Sequence, residues 1–205
     1  MMYTPPDFKI TDEAWVVALV DRFPFGQLVT SEAPYPQISH LPLLAELRGD
    51  ALWVLGHVAR ANPHAQSIVN RSPATLVLQG AHAYVSASWY QEPYKTVPTW
   101  NYSAAHLCGT LQECDAWGMV ERLSERFEGG RANAWDPQLL EPAFRESQLR
   151  GIIAFELRAD AIYAKAKLSQ NRTEADRMLV IGELSRSSSA LERMCAEDMR
   201  RVLKS

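Results

Sequence analysis

Between residues 51 and 111 the chain carries four charged side chains: Arg60, Arg71, Glu92 and Lys95. The same stretch holds four of the five histidines, His57, His64, His82 and His106, together with Trp53, Tyr84, Trp89, Tyr90, Tyr94, Trp100 and Tyr102. So long a segment with so few charges must be mostly buried, in a core or in a subunit interface. Buried Tyr, Trp and His need hydrogen-bond partners, which implies polar pockets rather than a purely apolar interior. The mixture suits a planar aromatic ligand held between subunits. It equally suits a dimer interface without a ligand, and composition does not separate the two.

At 205 residues the chain is expected to form one domain, or one domain with a helical appendage. No run of eighteen apolar residues occurs, so no transmembrane helix is expected. The opening MMYTPPDFKI lacks a basic region followed by an apolar stretch, so a cytoplasmic location is expected. Cys108, Cys114 and Cys195 are widely spaced and form neither a disulfide framework nor a zinc-like pattern. The formal charge of −3 excludes a chain-wide basic field for nucleic acid.

A coarse pass predicts a helix from Thr11 to Arg22, and strands over Gly26–Ser31, Gln37–Glu46 and Ala51–His57 that form a meander. A helix over Pro63–Asn70 follows. Strands are then expected at Pro73–Gln79, Ala83–Ser86 and Tyr102–Glu113. Asp115 caps a helix to Glu128, stopped by Gly129-Gly130. A helix at Pro137–Gln148 leads to strands at Gly151–Leu157 and Ala161–Lys167. Helices over Thr173–Leu184 and Ala190–Leu203 close the chain, joined by a flexible serine-rich hinge at 185–189. Short strands with meander turns and peripheral helices point to a small antiparallel barrel in an α+β domain. The expected division is a barrel domain over 1–184 and a helical extension over 185–205. Neither GxGxxG nor GxxxxGK[ST] occurs, which removes Rossmann and P-loop readings.

Four segments carry binding chemistry. In GHVARANPHAQ, Gly56 to Gln66, a strand end meets a helix start, with His57, Arg60 and Asn62 ahead of Pro63. Unpaired N–H groups beside an arginine make an anion site, for which phosphate is the natural occupant. An ordinary capped helix with a surface arginine is the plainer alternative. In ISHLPLL, Ile38 to Leu44, His40 sits in an apolar strand. It is either a core histidine bonded to a carbonyl or part of a strand edge that meets a ligand ring. In VPTWNY, Trp100, Asn101 and Tyr102 offer an indole, an amide and a phenol; in KAKLSQNR, lysines precede Ser169, Gln170 and Asn171. A packed turn and a solvated loop are the respective alternatives. No Ser-His-Asp arrangement, carboxylate pair or metal box can be assigned. Many binding groups without an obvious general acid or base favour a cofactor that brings its own chemistry, or a binding module with none.

MYTPPDF, PFGQLVTS, SHLPLL, GHVARANP, QGAHAYVSASWY, VPTWNY and KLSQNRTEADR together resemble PaiB-type FMN-binding negative transcriptional regulators. The resemblance runs from Met2 to Gly182, and that family is similar to the pyridoxamine-phosphate-oxidase-like split barrels. It implies an α+β fold built on an antiparallel FMN-binding split β-barrel with peripheral helices, and a homodimer with FMN between subunits. By that similarity Ile38, Ser39, His40, Leu41 and Pro42 line the flavin. Gly56, His57, Arg60 and Asn62 hold ring edge and phosphate. Trp100 and Asn101 meet the flavin near the dimer interface, while Lys167, Ser169, Gln170 and Asn171 arrive from the partner subunit. Two departures stand out: Ala87 where the family pattern has proline, and Ala166 where it has an aromatic between two lysines.

The resemblance implies a regulator that binds DNA. Segment 171–205, with seven basic and six acidic residues, reads as a solvated helical pair rather than a basic arm. The alternative is a flavin-dependent oxidoreductase acting on a small molecule, with His40, His57 or Tyr102 available to relay protons. A heme-handling role, known among split-barrel relatives, finds no clear axial ligand in the sequence.

Overall fold

The protein is described by a computed structural model that covers residues 2–32 and 34–203. In chain order, β1 (Lys9–Ile10) precedes α1 (Glu13–Arg22), β2 (Phe25–Thr30), β3 (Gln37–Pro42), β4 (Leu44–Arg48) and β5 (Ala51–Ala59). Then come α2 (His64–Val69), β6 (Pro73–Val85), β7 (Thr99–Cys114), α3 (Ala116–Glu128) and α4 (Pro142–Leu149). Finally β8 (Ile152–Lys167) leads into α5 (Glu174–Ser185) and α6 (Ala190–Leu203). The strands are ordered β3-β2-β6-β7-β8-β5-β4, with β1 paired to β8. β2 runs antiparallel to β3 and β6, and β5 runs antiparallel to β4 and β8.

The chain divides into two compact units. One comprises residues 1–12, 79–106 and 163–205, the other residues 13–78 and 107–162. β6, β7 and β8 each contribute to both.

In the unit containing residues 13–78, the expected three-strand meander is not formed. The run Gln37–Glu46 breaks after Pro42, and the Leu43 N–H donates to the Pro24 carbonyl at 2.8 Å. Pro42 has no N–H to carry the ladder on. β3 therefore pairs with β2, while β4 pairs with β5 at the other end of the strand order. Leu44, Leu55 and Ala154 pack against Met119 of α3, with Trp53, Cys114 and Leu123 alongside. α3 starts as expected: the Asp115 carboxylate accepts from the N–H groups of Trp117 and Gly118. The expected helix at Pro137–Gln148 is instead a 3-10 turn at Pro137–Leu139 followed by α4.

The other unit contains α5 and α6, which pack on each other and bury Val180, Ile181, Leu184, Cys195, Ala196 and Met199. The serine run between them is a bonded turn rather than a loose hinge. The Ser187 and Ser188 carbonyls accept from Arg193 Nη1 at 2.7 and 2.8 Å, and Ser189 N–H donates to Ser187 Oγ at 3.0 Å.

Candidate functional site

β3 ends the strand order, and among the described residues its backbone ladder is to β2 alone. Its side chains alternate. Ile38 and His40 point outward, Ile38 being 53 % exposed, and His40 stacks on Phe25 with ring centroids 6.3 Å apart. His40 is thus an exposed histidine, not the core one that the apolar strand suggested. Ser39 and Leu41 take the inner side.

Ser39 meets two residues from the start of α2. Asn62 Nδ2 donates to Ser39 Oγ at 2.9 Å, and Ser39 Oγ lies 2.8 Å from His64 Nδ1. Asn62 Oδ1 also accepts the His64 N–H at 2.9 Å. One asparagine therefore caps the helix and ties it to the strand edge. The caps also occupy the helix start: Ala65 N–H donates to the Asn62 carbonyl and Gln66 N–H to the Pro63 carbonyl. The expected anion site on unpaired helix N–H groups is accordingly absent from this six-residue helix. His64, fully buried, is a member of this group that no sequence motif marks. Burial pushes its pKa down, partly offset by the Glu32 carboxylate and the Gln37 carbonyl. Its Nε2 is buried without a hydrogen-bond partner among the described residues.

The GHVARANP segment is spread over two faces. A Cβ on Gly56 would lie 2.9 Å from both Leu41 Cδ1 and Phe155 Cζ, so any larger residue here would push these side chains aside. His57 takes the opposite face, beside its strand partner Ala154 in the α3-covered cluster. Its Nδ1 is buried and unpartnered among the described residues, and burial lowers its pKa. Arg60 donates from Nε to the Arg150 carbonyl at 3.1 Å and from Nη2 to the Ile152 carbonyl at 2.9 Å. These bonds fix an exposed guanidinium at the end of β5.

The remaining predicted residues lie in the other unit. Asn101 is fully buried. Its Nδ2 donates to Ser169 Oγ at 3.0 Å and approaches Met199 Sδ at 3.3 Å, while its Oδ1 accepts from Ser169 Oγ at 3.1 Å. Gln170 is also turned inward: Oε1 accepts the Leu168 N–H at 2.7 Å and Nε2 donates to the Ala166 carbonyl at 2.6 Å. Trp100, 53 % exposed, packs against His82 and Tyr84 at 5.8 and 6.2 Å between centroids. Lys167 Nζ donates to the Trp100 carbonyl at 2.6 Å and to Thr99 Oγ1. Burial, then the Lys165 and Arg172 cations, lowers the Lys167 pKa. Asn171 is exposed. The outer surface here is Trp100, His82, Tyr84 and Lys167, with Asn101, Ser169 and Gln170 as its internal bracing.

Residues 2–161 match the family model described as "Putative FMN-binding domain". The chain belongs to this family. It is 36 % identical over 208 residues to "Protease synthase and sporulation protein PAI 2" of Bacillus subtilis, covering 99 % of each chain. An uncharacterized protein of Emericella nidulans is 28 % identical, with 80 % of this chain and 82 % of that one covered. Among solved structures, the FAD and heme binding protein of Mycobacterium smegmatis superposes with a TM-score of 0.57 at 17 % identity, covering 78 % of this chain and 73 % of that one. The flavocytochrome Anf3 of Azotobacter vinelandii gives 0.58 at 14 % identity, covering 82 % and 74 %. The fold class is the expected α+β antiparallel split β-barrel with peripheral helices, and FMN is the family's cofactor.

The residues present fit that cofactor. Arg60 offers a fixed cation for a phosphate. Ser39, Asn62 and the unpartnered ring nitrogen of His64 offer donors and acceptors beside an edge strand. His57, next to Gly56 along β5, turns to the opposite face of the strand.

Proposed function

We propose that this chain is an FMN-binding homodimer of the cytoplasm that acts as a PaiB-type negative regulator of transcription. The observation that carries the binding half is the edge strand β3, with Ser39 tied to Asn62 and His64 on its inner side. In this reading the Ile38–Pro42 backbone takes the flavin ring edge, and Arg60 with Asn62 takes the phosphate. Bound FMN supplies a redox-active ring and a fixed dianion. Ser39 and Asn62 orient the strand edge, and Arg60 offsets one of the phosphate's two charges. The partner subunit contributes Trp100 and Lys167, held in place by Asn101, Ser169 and Gln170. Support for pairing of subunits comes from exposed apolar groups on strands of both units, Phe25 and Ile38 in one, Tyr84 and Trp100 in the other.

The regulatory half rests on the resemblance to PaiB-type proteins over nearly the full chain and on the 36 % identity to the Bacillus relative. Three measurements on one sample test the proposal: light scattering for the dimer, FMN titration, and a gel shift with genomic fragments at low salt, where phosphate contacts are strongest. A dimer that holds FMN and shifts DNA is the expected result. FMN reduced by NADH or NADPH, with no shift at low salt, would replace the regulator by a flavin-dependent oxidoreductase.

A further inference from the structure

Tyr90 is 5 % exposed, and its hydroxyl has no hydrogen-bond partner among the described residues. Arg177 Nε and Nη2 are buried in the same condition. Those two nitrogens form one edge of the guanidinium, the edge that grips a carboxylate or phosphate with two parallel bonds. Buried donors are seldom left unpaired, because nothing then repays their lost hydration.

The segments that carry the two groups meet in the unit that contains α5. The Gln91 N–H donates to Asp176 Oδ1 at 3.0 Å, which joins the residue after Tyr90 to the residue before Arg177. α5 also packs against the 3-10 turn Ala87–Trp89 that leads into Tyr90. A second cation closes the corner: the Arg172 guanidinium lies 4.9 Å over the Tyr90 ring and donates to Thr96 Oγ1 at 2.8 Å. Asp176, the residue before Arg177, already accepts from backbone. Among the described residues, the Tyr90 hydroxyl and the Arg177 Nε and Nη2 are thus left without hydrogen-bond partners in this region.

We propose that Tyr90 and Arg177 bind a small oxyanion, with the guanidinium edge taking two oxygens and the phenol a third bond. The site is separate from the residues assigned above to FMN, and it gives the protein a second ligand input.

The test is a thermal-shift titration of the FMN-loaded full chain with acetate and with inorganic phosphate, against chloride at matched ionic strength. A saturable rise in Tm is expected with at least one oxyanion and not with chloride. Which one acts separates a carboxylate from a phosphate ligand. Arg177→Gln should weaken the midpoint at least about tenfold, and Tyr90→Phe, which keeps the ring under Arg172, about threefold to tenfold. FMN affinity should stay unchanged in both. No saturable rise, or the same rise in both variants, overturns the proposal. Loss of FMN binding in Arg177→Gln also overturns it, since the oxyanion would then be the cofactor's own phosphate. If Arg177→Gln fails to fold, Tyr90→Phe alone decides.

Discussion

Asn101 and Ser169, 68 residues apart in sequence, hold each other by two hydrogen bonds, one in each direction, in a fully buried position beside Met199. The pair fixes the start of β7 to the turn after β8, where Ser169 takes φ +66°. Removing the amide leaves a buried hydroxyl without its partner. Asn101→Ala should cost about 1–3 kcal/mol, which is a fall of about 3–10 °C in Tm for a chain of this size. Differential scanning calorimetry checks it. A fall below one degree would mean that Ser169 finds another partner.

Two glycines should differ sharply when given a methyl group. At Gly56 the added carbon meets side-chain ends of Leu41, Leu43 and Phe155 at 2.9–3.1 Å, which can shift. Gly56→Ala should cost about 1–3 kcal/mol. At Gly109 the carbon would sit 2.1 Å from the Arg158 carbonyl oxygen, which is backbone of the neighbouring strand. Gly109→Ala should yield little soluble protein where Gly56→Ala remains folded. Urea unfolding of both, with equal midpoints, would refute this ranking.

Acid should destabilise the protein from near neutrality. Burial holds the His57 ring below its ordinary value of 6.5, and His64 and His106 shift the same way. A histidine with a lowered folded pKa takes up its proton first in the unfolded chain. Its contribution is therefore complete above pH 6.5 and is lost as the pH falls through that value toward the folded pKa. His57→Gln should flatten the loss of stability between pH 7.5 and 5.5 on repeated urea titrations. An unchanged slope would show that the ring titrates freely.

How far the sequence discloses this molecule depends on the distance over which each feature is decided. Asp115 and the apolar spacing behind it mark α3 locally, and α3 begins as expected. β6 and β8 read as two strands each, because Gly80 with His82 and Arg158 with Asp160 resemble turns; both run unbroken through those residues. The break at Pro42 is visible only once Leu43 is seen bonded to Pro24. In the candidate site, Arg60 and Asn62 are legible from the strand-to-helix junction. His64 is not, since its importance comes from Ser39, 25 residues earlier. Asn101, Ser169 and Gln170 appear as an inventory of donors and acceptors; that they spend their bonds on one another and on backbone is a tertiary fact.

Ser39 and Asn62 should be coupled. Each alanine substitution alone breaks the 2.9 Å bond, so the double variant should lose less stability than the sum of the two, by about 0.5–3 kcal/mol. A double-mutant cycle in urea measures the difference. Strict additivity would show that the bond contributes nothing to holding β3 against α2.

FMN affinity in the wild-type chain and in Arg60→Ala tests the cofactor site most directly. The measurement is the visible spectrum after FMN loading and desalting, followed by titration. One retained FMN per protomer is expected in the wild type, with a loss in affinity of about ten- to a hundredfold in the variant, as hydrogen bonds to a charged group imply. Equal FMN retention by both chains would contradict the placement of the phosphate at Arg60. A wild-type chain that stays colourless would contradict the cofactor itself.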